Sequence, residues 1–349
     1  MKALVKEKPE PGIVLRDVPE PALMPGHVLV RVKACGISGS EVSRYRWASV
    51  YHAGRPKDMT RVLPRIMGHE FSGTIAAIGH GVEGISEGER VVVQCVVGCG
   101  CCEFCDAGLP NHCLRRIMIG NDRDGGFAEF TAVPASNVYA VSDDISLESA
   151  ALLQPFAIAT YALELAGIKP GCRVGVWGVG QIGMSVIQGA RLAGATVEFA
   201  VGRDKARLQA ARDIGAAQTV SINDADPGEF LLTRFGKDKV DVVFEVSGNV
   251  LAVTSALAIL KKCGKVVVIG NPAEPLYLDL QQAVIDQLNI LTVRAYSLSA
   301  WRTALTLLGR VQGQHGALPI IRLPLTDGVR AFERASTGQG GAAKFVLEP

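Results

Sequence analysis

The stretch Val176 to Gly194, "VWGVGQIGMSVIQGARLAG", limits what this chain can fold into more than any other. It sets Gly178, Gly180 and Gly183 in a GxGxxG pattern, with Gln181 and Ile182 between the last two glycines. Such glycines permit a tight turn, a close backbone approach to a pyrophosphate and close helix–strand packing. The pattern alone is weak, but its setting gives it force. "RVGVWG" reads as a buried strand and residues 181–194 as a helix; "TVEFAV" is again a strand and 203–214 a helix. "VDVVFEVSG", a helix over 250–262, "GKVVVIG" and "ILTVRAY" continue the alternation. Strands and helices in this order imply parallel βαβ units in a doubly wound sheet. Ser247 and Gly270, at the ends of two later strands, join the cofactor candidates.

The end of the second strand selects the nicotinamide cofactor. An acidic side chain there would bind the ribose hydroxyls and repel a 2′-phosphate. This chain has Gly202 followed by Arg203, with Lys205 and Arg207 close behind. Glycine makes room and arginine pairs with phosphate, so NADP(H) is the expectation. Asp204 is placed to start the next helix, and Glu198 points elsewhere from inside the strand.

Residues 1–140 follow another grammar. "HVLVRVKACG", "FSGTIAAIG" and "ERVVVQ" are strands separated by Gly/Pro turns, as in an irregular β domain. With 349 residues, nearly half of them apolar, two domains are expected. The net charge of +2 gives no reason to expect nucleic acid or an anionic membrane as partner. "MKALVKEKPEPG" lacks the apolar core of an export signal, and the apolar run "VVVQCVVGCGCC" is too short for a bilayer. A cytoplasmic protein acting on a small molecule is the expectation.

Of nine cysteines, Cys99, Cys101, Cys102, Cys105 and Cys113 crowd into one segment. Cys99-x2-Cys102-x2-Cys105-x7-Cys113 suits a closed tetrahedral zinc that staples a lobe and does no chemistry. Cys101 and Cys95 fall outside that spacing.

Together with "GISGSEV", "GHEFSGTIAAIG" and "VDVVFEVSG", these motifs resemble the zinc-containing medium-chain dehydrogenase/reductase family, above all its polyol, threonine and cyclitol dehydrogenases. The resemblance runs end to end. It implies a GroES-like catalytic domain (1–155, rejoined by 291–349, with the zinc lobe at about 95–115) and a Rossmann domain (156–290). It also implies an active site in the cleft between them, and a homodimer or homotetramer.

The family motif G-[IV]-C-G-[ST]-D supplies a catalytic zinc ligand from its cysteine, and that position is Ser38 here. The family's "GHE" maps onto His69 and Glu70. A glutamate of "ALxEP" becomes Gln154, the family aspartate becomes Glu41, and a proton-relay histidine of some members becomes Ser43. A thiolate has become a hydroxyl and a carboxylate an amide, while zinc sites usually need three good protein ligands. The expectation is therefore one structural zinc and no tightly held catalytic zinc.

Without that metal, oxidation of a simple alcohol is harder, whereas hydride addition to an activated alkene remains accessible. The leading reading is an NADPH-dependent enone reductase for a cyclitol-like or other polar ring. Ser38, Ser40, Tyr45, His69, Glu70 and Gln154 are its catalytic-site candidates. The alternatives are an NADP(H)-dependent alcohol, polyol or cyclitol dehydrogenase with a retained or altered zinc site, and a non-catalytic NADPH-binding protein. Residues 44–65, rich in arginine with interleaved Tyr45, Trp47 and Tyr51, are a candidate substrate loop.

Overall fold

The computed structural model describes residues 1–47, 63–236, 240–272, 275–278, 280–311, 319–339, 341 and 343–349. The chain divides into two compact units. One contains Met1–Gln154, Ser297–Gln312 and Pro319–Pro349, and the other contains Pro155–Tyr296.

The first unit opens with β1 (Lys2–Lys6), β2 (Val14–Asp17), β3 (His27–Gly36), α1 (Gly39–Tyr45), β4 (Arg65–Ile66), β5 (Phe71–Ile78), β6 (Arg90–Val93) and β7 (Val96–Val97). It continues with α2 (Glu103–Asp106), β8 (Ile117–Met118), β9 (Phe130–Pro134), β10 (Val138–Ala140) and α3 (Leu147–Ala151). A short sheet orders β2-β1-β4, and β7 pairs with β8. β3 alternates apolar-in and polar-out over Val28, Val30, Val32 and Ala34, as a half-buried strand requires.

The second unit begins within α4 (Leu153–Ala166). It then carries β11 (Arg173–Trp177), α5 (Gln181–Leu192), β12 (Thr196–Gly202), α6 (Lys205–Asp213), β13 (Thr219–Ser221), α7 (Pro227–Phe235) and β14 (Val240–Glu245). It closes with α8 (Val250–Ile259), β15 (Leu260–Val268), α9 (Leu280–Ile285) and β16 (Asn289–Thr292). All six strands pair in parallel in the order β13-β12-β11-β14-β15-β16, the doubly wound sheet that the alternation implied. Val174, Val176, Phe199, Val201, Val243 and Val266 are buried, because helices on both faces leave a parallel strand no wet side.

The chain then returns to the first unit with α10 (Leu298–Val311), β17 (Ile320–Pro324), α11 (Gly328–Thr337) and β18 (Lys344–Glu348). β18 lies antiparallel to β3, with Val346 opposite Gly36 and Leu347 opposite Cys35. The larger sheet thus orders β10-β6-β5-β3-β18-β17, with β9 also on β3. Residues from the two ends of the sequence share one core, where Ala34, Ala151, Leu152 and Val346 pack together.

Several elements differ from the sequence reading. The helix expected over 250–262 stops at Ile259, and Leu260 is already extended beside Val240. Leu260 belongs to the core, and Cys263 then takes φ +62 ahead of Gly264. After residue 297 the described residues include two helices that the sequence analysis did not place, α10 and α11. In α10 the buried Ala300, Trp301, Ala304 and Leu308 form one helical stripe. The expected helix at 203–214 begins later, at Lys205.

Candidate functional site

At the carboxyl end of β11 the glycine pattern has three distinct physical roles. Gly178 adopts φ +114, and a Cβ there would lie 2.9 Å from the Ser247 amide nitrogen. A Cβ on Gly183 would lie 1.8 Å from the Gly178 carbonyl oxygen, so helix and strand meet only because it is absent. Gly180 is different: a Cβ on it would have nothing within 4 Å. It is the N-cap of α5 and gives no side chain to the first turn, whose amides have no intrahelical acceptor. Open space before a 12-residue helix is a fitting cradle for a pyrophosphate.

Arg203 is exposed just beyond β12, and Arg207 is half-buried on α6. Asp204 is the N-cap of α6, accepting from the Arg207 amide at 2.8 Å, so it starts the helix as expected. Glu198 pairs with Arg173 at 2.5 Å. Gly202 departs from the expectation that it clears space for a phosphate. Its Cβ would meet Val179 Cγ2 at 2.3 Å, so its missing side chain admits the glycine-rich turn. Gly270, similarly, would carry its Cβ 2.2 Å from the Gly248 nitrogen and 2.5 Å from Glu245 Oε2.

In the other unit Ser38 caps α1. Its Oγ accepts from the Glu41 amide at 3.1 Å, and Glu41 Oε2 accepts from the Ser38 amide at 2.8 Å. This reciprocal arrangement is a capping box. Glu41 Oε1 reaches further, lying 3.1 Å from the His69 amide nitrogen and 2.9 Å from His69 Nδ1. Glu41 is wholly buried and His69 nearly so. Burial pulls the His69 imidazole down, but Glu41 and then Glu70 outweigh it, and the net direction is upward. Burial pushes Glu41 up, but His69 and the Ser38 amide outweigh it, and the net direction is downward.

Glu70 lies in a second buried pair. Lys344 Nζ is 2.6 Å from its Oε2, an ion pair without the alignment of a directed hydrogen bond. A Cβ on Gly36 would lie 2.7 Å from the same oxygen and 3.0 Å from Lys344 Cε, so that pair needs a glycine beside it. The sequence reading missed Lys344, since nothing local in "AAKFVLEP" reveals that β18 lands beside Glu70.

Ser40 Oγ is 2.9 Å from Ser38 Oγ. Ser43 donates back to the Gly39 carbonyl at 3.1 Å. The Tyr45 ring stacks on Phe332 with centroids 5.6 Å apart, and its main-chain carbonyl receives the Gly12 amide at 2.8 Å. Those contacts give Tyr45 a packing role. Gln154 is buried near the start of α4. The candidate substrate loop lies largely outside the described residues. Of its described arginines, Arg44 donates inward to the Gly120 carbonyl at 3.0 Å and Arg65 pairs with Asp124 at 3.1 Å.

The Sγ atoms of Cys99, Cys102, Cys105 and Cys113 all lie within 4.8 Å of one another, suited to one tetrahedral zinc. Among the described residues this is the one group of three or more potential metal ligands. Cys101 stays outside it, exposed, with Sγ 3.9 Å from Cys99 Sγ and 2.8 Å from Arg115. A catalytic zinc fits poorly by donor chemistry: Ser38 offers a hydroxyl, Gln154 an amide, and Glu70 already faces an ammonium. Among the described residues, no helix is long and apolar enough to cross a membrane.

Residues 24–143 match the alcohol dehydrogenase GroES-like domain, and residues 181–310 match the zinc-binding dehydrogenase family. The L-threonine 3-dehydrogenase of Bacillus licheniformis is 31% identical over 357 residues, covering 100% of this chain and 99% of that protein. A zinc-binding dehydrogenase from Sinorhizobium meliloti 1021, solved bound to NADP, superposes with a TM-score of 0.87 at 28% identity. That match covers 100% of this chain and 99% of the other. An alcohol dehydrogenase of Escherichia coli CFT073, complexed with NADH, gives 0.88 at 26% identity, again covering 100% and 99%. The chain belongs to the zinc-binding medium-chain dehydrogenase/reductase family and is a nucleotide-dependent oxidoreductase.

Proposed function

We propose that this family member is an NADPH-dependent reductase of a polar, enone-type C=C bond, cyclitol-like or similar, working without zinc at the reacting centre. The observation that supports this reading is the commitment of the side chains at the metal position. Ser38 and Glu41 are joined in a capping box, Glu41 also holds His69, and Glu70 pairs with Lys344. Among the described residues, one imidazole nitrogen is then the good donor left unspent there, below the three that zinc requires.

When bound, a reduced nicotinamide supplies hydride to the β-carbon of the enone. The residues supply the rest. His69, fixed through Nδ1 by Glu41, presents Nε2 for proton delivery to the α-carbon, in the manner of a carboxylate-oriented imidazole. The Ser40 hydroxyl, linked to Ser38, is the donor for the developing enolate oxygen. Arg203, with Arg207 behind it, supports the choice of NADPH by offering the 2′-phosphate a guanidinium.

A second reading, NADP(H)-dependent oxidation of a polar secondary alcohol, is favoured by the relative named for such an activity, the L-threonine 3-dehydrogenase of Bacillus licheniformis. Incubation of the protein with NADPH and a panel of enones and ketones separates the two. Alkene reduction with the carbonyl left intact is the expected result. Polyol oxidation with NADP and no alkene reduction would replace the first reading with the second.

A further inference from the structure

Glu245 ends β14 and is wholly buried. Its Oε1 accepts three hydrogen bonds from the turn that follows: Ser247 N at 2.6 Å, Ser247 Oγ at 2.5 Å and Gly248 N at 2.9 Å. Ser247 Oγ in turn accepts from the Asn249 amide at 3.2 Å, and Asn249 caps α8 through the Leu251 amide at 2.9 Å. The turn is tied to the end of β11 as well, because the Val246 amide donates to the Trp177 carbonyl at 2.8 Å. The first glycine of the nucleotide motif packs directly on it, with a Gly178 Cβ excluded by the Ser247 nitrogen.

We propose that Glu245 is a positioning residue of the nucleotide site, one whose Oε1 gathers the 246–249 turn and sets it against the glycine loop at Gly178. Among the described residues the second carboxyl oxygen, Oε2, is buried without a hydrogen-bond partner, in a corner where Gly270 can carry no side chain. A carboxylate with one dry, unpaired oxygen is costly, and burial accordingly pushes this carboxyl up against the pull of the turn's donors. The group therefore acts by shape and acceptance rather than by charge. It stands at the end of β14, on the opposite side of β11 from Gly202 and Arg203. Its effect falls on the shared part of the dinucleotide and leaves the 2′-phosphate unread.

This inference rests on nucleotide binding and not on the enone reading, so its test needs no substrate. The full chain is titrated with NADPH and with NADH by nicotinamide fluorescence, with thermal melts in parallel. Glu245→Gln keeps the acceptor and the volume, and should bind both cofactors within about twofold of the unmodified protein. Glu245→Asp retracts the carboxyl by one methylene, and Glu245→Ala removes it; both should weaken NADPH and NADH alike by about tenfold or more. Ser247→Ala, which deletes one donor from a half-buried turn and threatens the fold least, should cost both cofactors a few-fold. Unchanged affinities in the Asp and Ser247 variants, with only lower melting temperatures, would overturn the proposal in favour of a purely structural role. So would a Gln variant as weak as Ala beside an Asp variant near normal, because charge would then be the property that matters. A loss confined to NADPH would overturn it too, by assigning the residue to the phosphate.

Discussion

At the residue scale, the sharpest contrast lies between two acidic groups that neighbour basic ones in different ways. Asp204 caps a helix and leaves Arg203 exposed, so Arg203→Ala should weaken NADPH by about tenfold or more while NADH binding stays nearly unchanged. Parallel titrations with the two cofactors check it, and equal losses would show that Arg203 does not read the phosphate. Glu41 and His69 predict a pH signature in stability. Glu41 is depressed in the fold, so its contribution is present above its unfolded value and is lost as pH falls through the lower folded one. His69 is raised, so its contribution is present below its unfolded value and is lost as pH rises through the higher folded one. The pair therefore acts fully between the ordinary values of 4.5 and 6.5. Glu41→Gln should cost about 3 kcal/mol in that window, because it strands a buried imidazolium. The gap to the unmodified protein should narrow toward alkaline pH and again in strong acid. Denaturant melts at several pH values measure it, and a gap independent of pH would refute the charged pair.

At the element scale, the glycine loop separates packing from binding. Gly183→Ala forces a Cβ against the Gly178 carbonyl and should lower stability by about 1–3 kcal/mol as well as abolish cofactor binding. Gly180→Ala meets open space at φ −79, so the fold should keep its melting temperature. The added methyl would stand where the pyrophosphate approaches the α5 amides, and cofactor affinity should fall sharply. Melting curves and cofactor titrations on the two variants would show a double loss in one and a single loss in the other. The GxGxxG spacing was legible because close approach allows no other residue type. The role of Gly202 was not, since only the fold brings Val179 onto it.

At the scale of the whole molecule, metal content is the deciding measurement. One zinc per chain is expected, held by Cys99, Cys102, Cys105 and Cys113, and its removal by chelation should lower the melting temperature. Ser38→Cys with Gln154→Glu restores the thiolate and the carboxylate of the family's ligand pattern, and should add a second zinc while any alkene reduction falls. The same change removes the Ser38 cap, at about 1 kcal/mol, so α1 should loosen unless zinc binds. Two zinc ions per chain in the unmodified protein after dialysis would sink the metal-free reading.

The sequence by itself determined the parallel sheet, the nucleotide loop, the four-cysteine lobe and the family, because each is written in motifs whose own residues lie close together in the chain. Periodicity, turn chemistry and ligand spacing are local, and they survive without a fold. Tertiary structure alone decided which buried charges meet. Lys344 reaches Glu70 only because β18 returns to lie on β3, and Glu41 holds His69 only because α1 and the start of β5 converge. Such pairs join residues far apart in sequence, and burial gives them their strength. No local pattern records either fact.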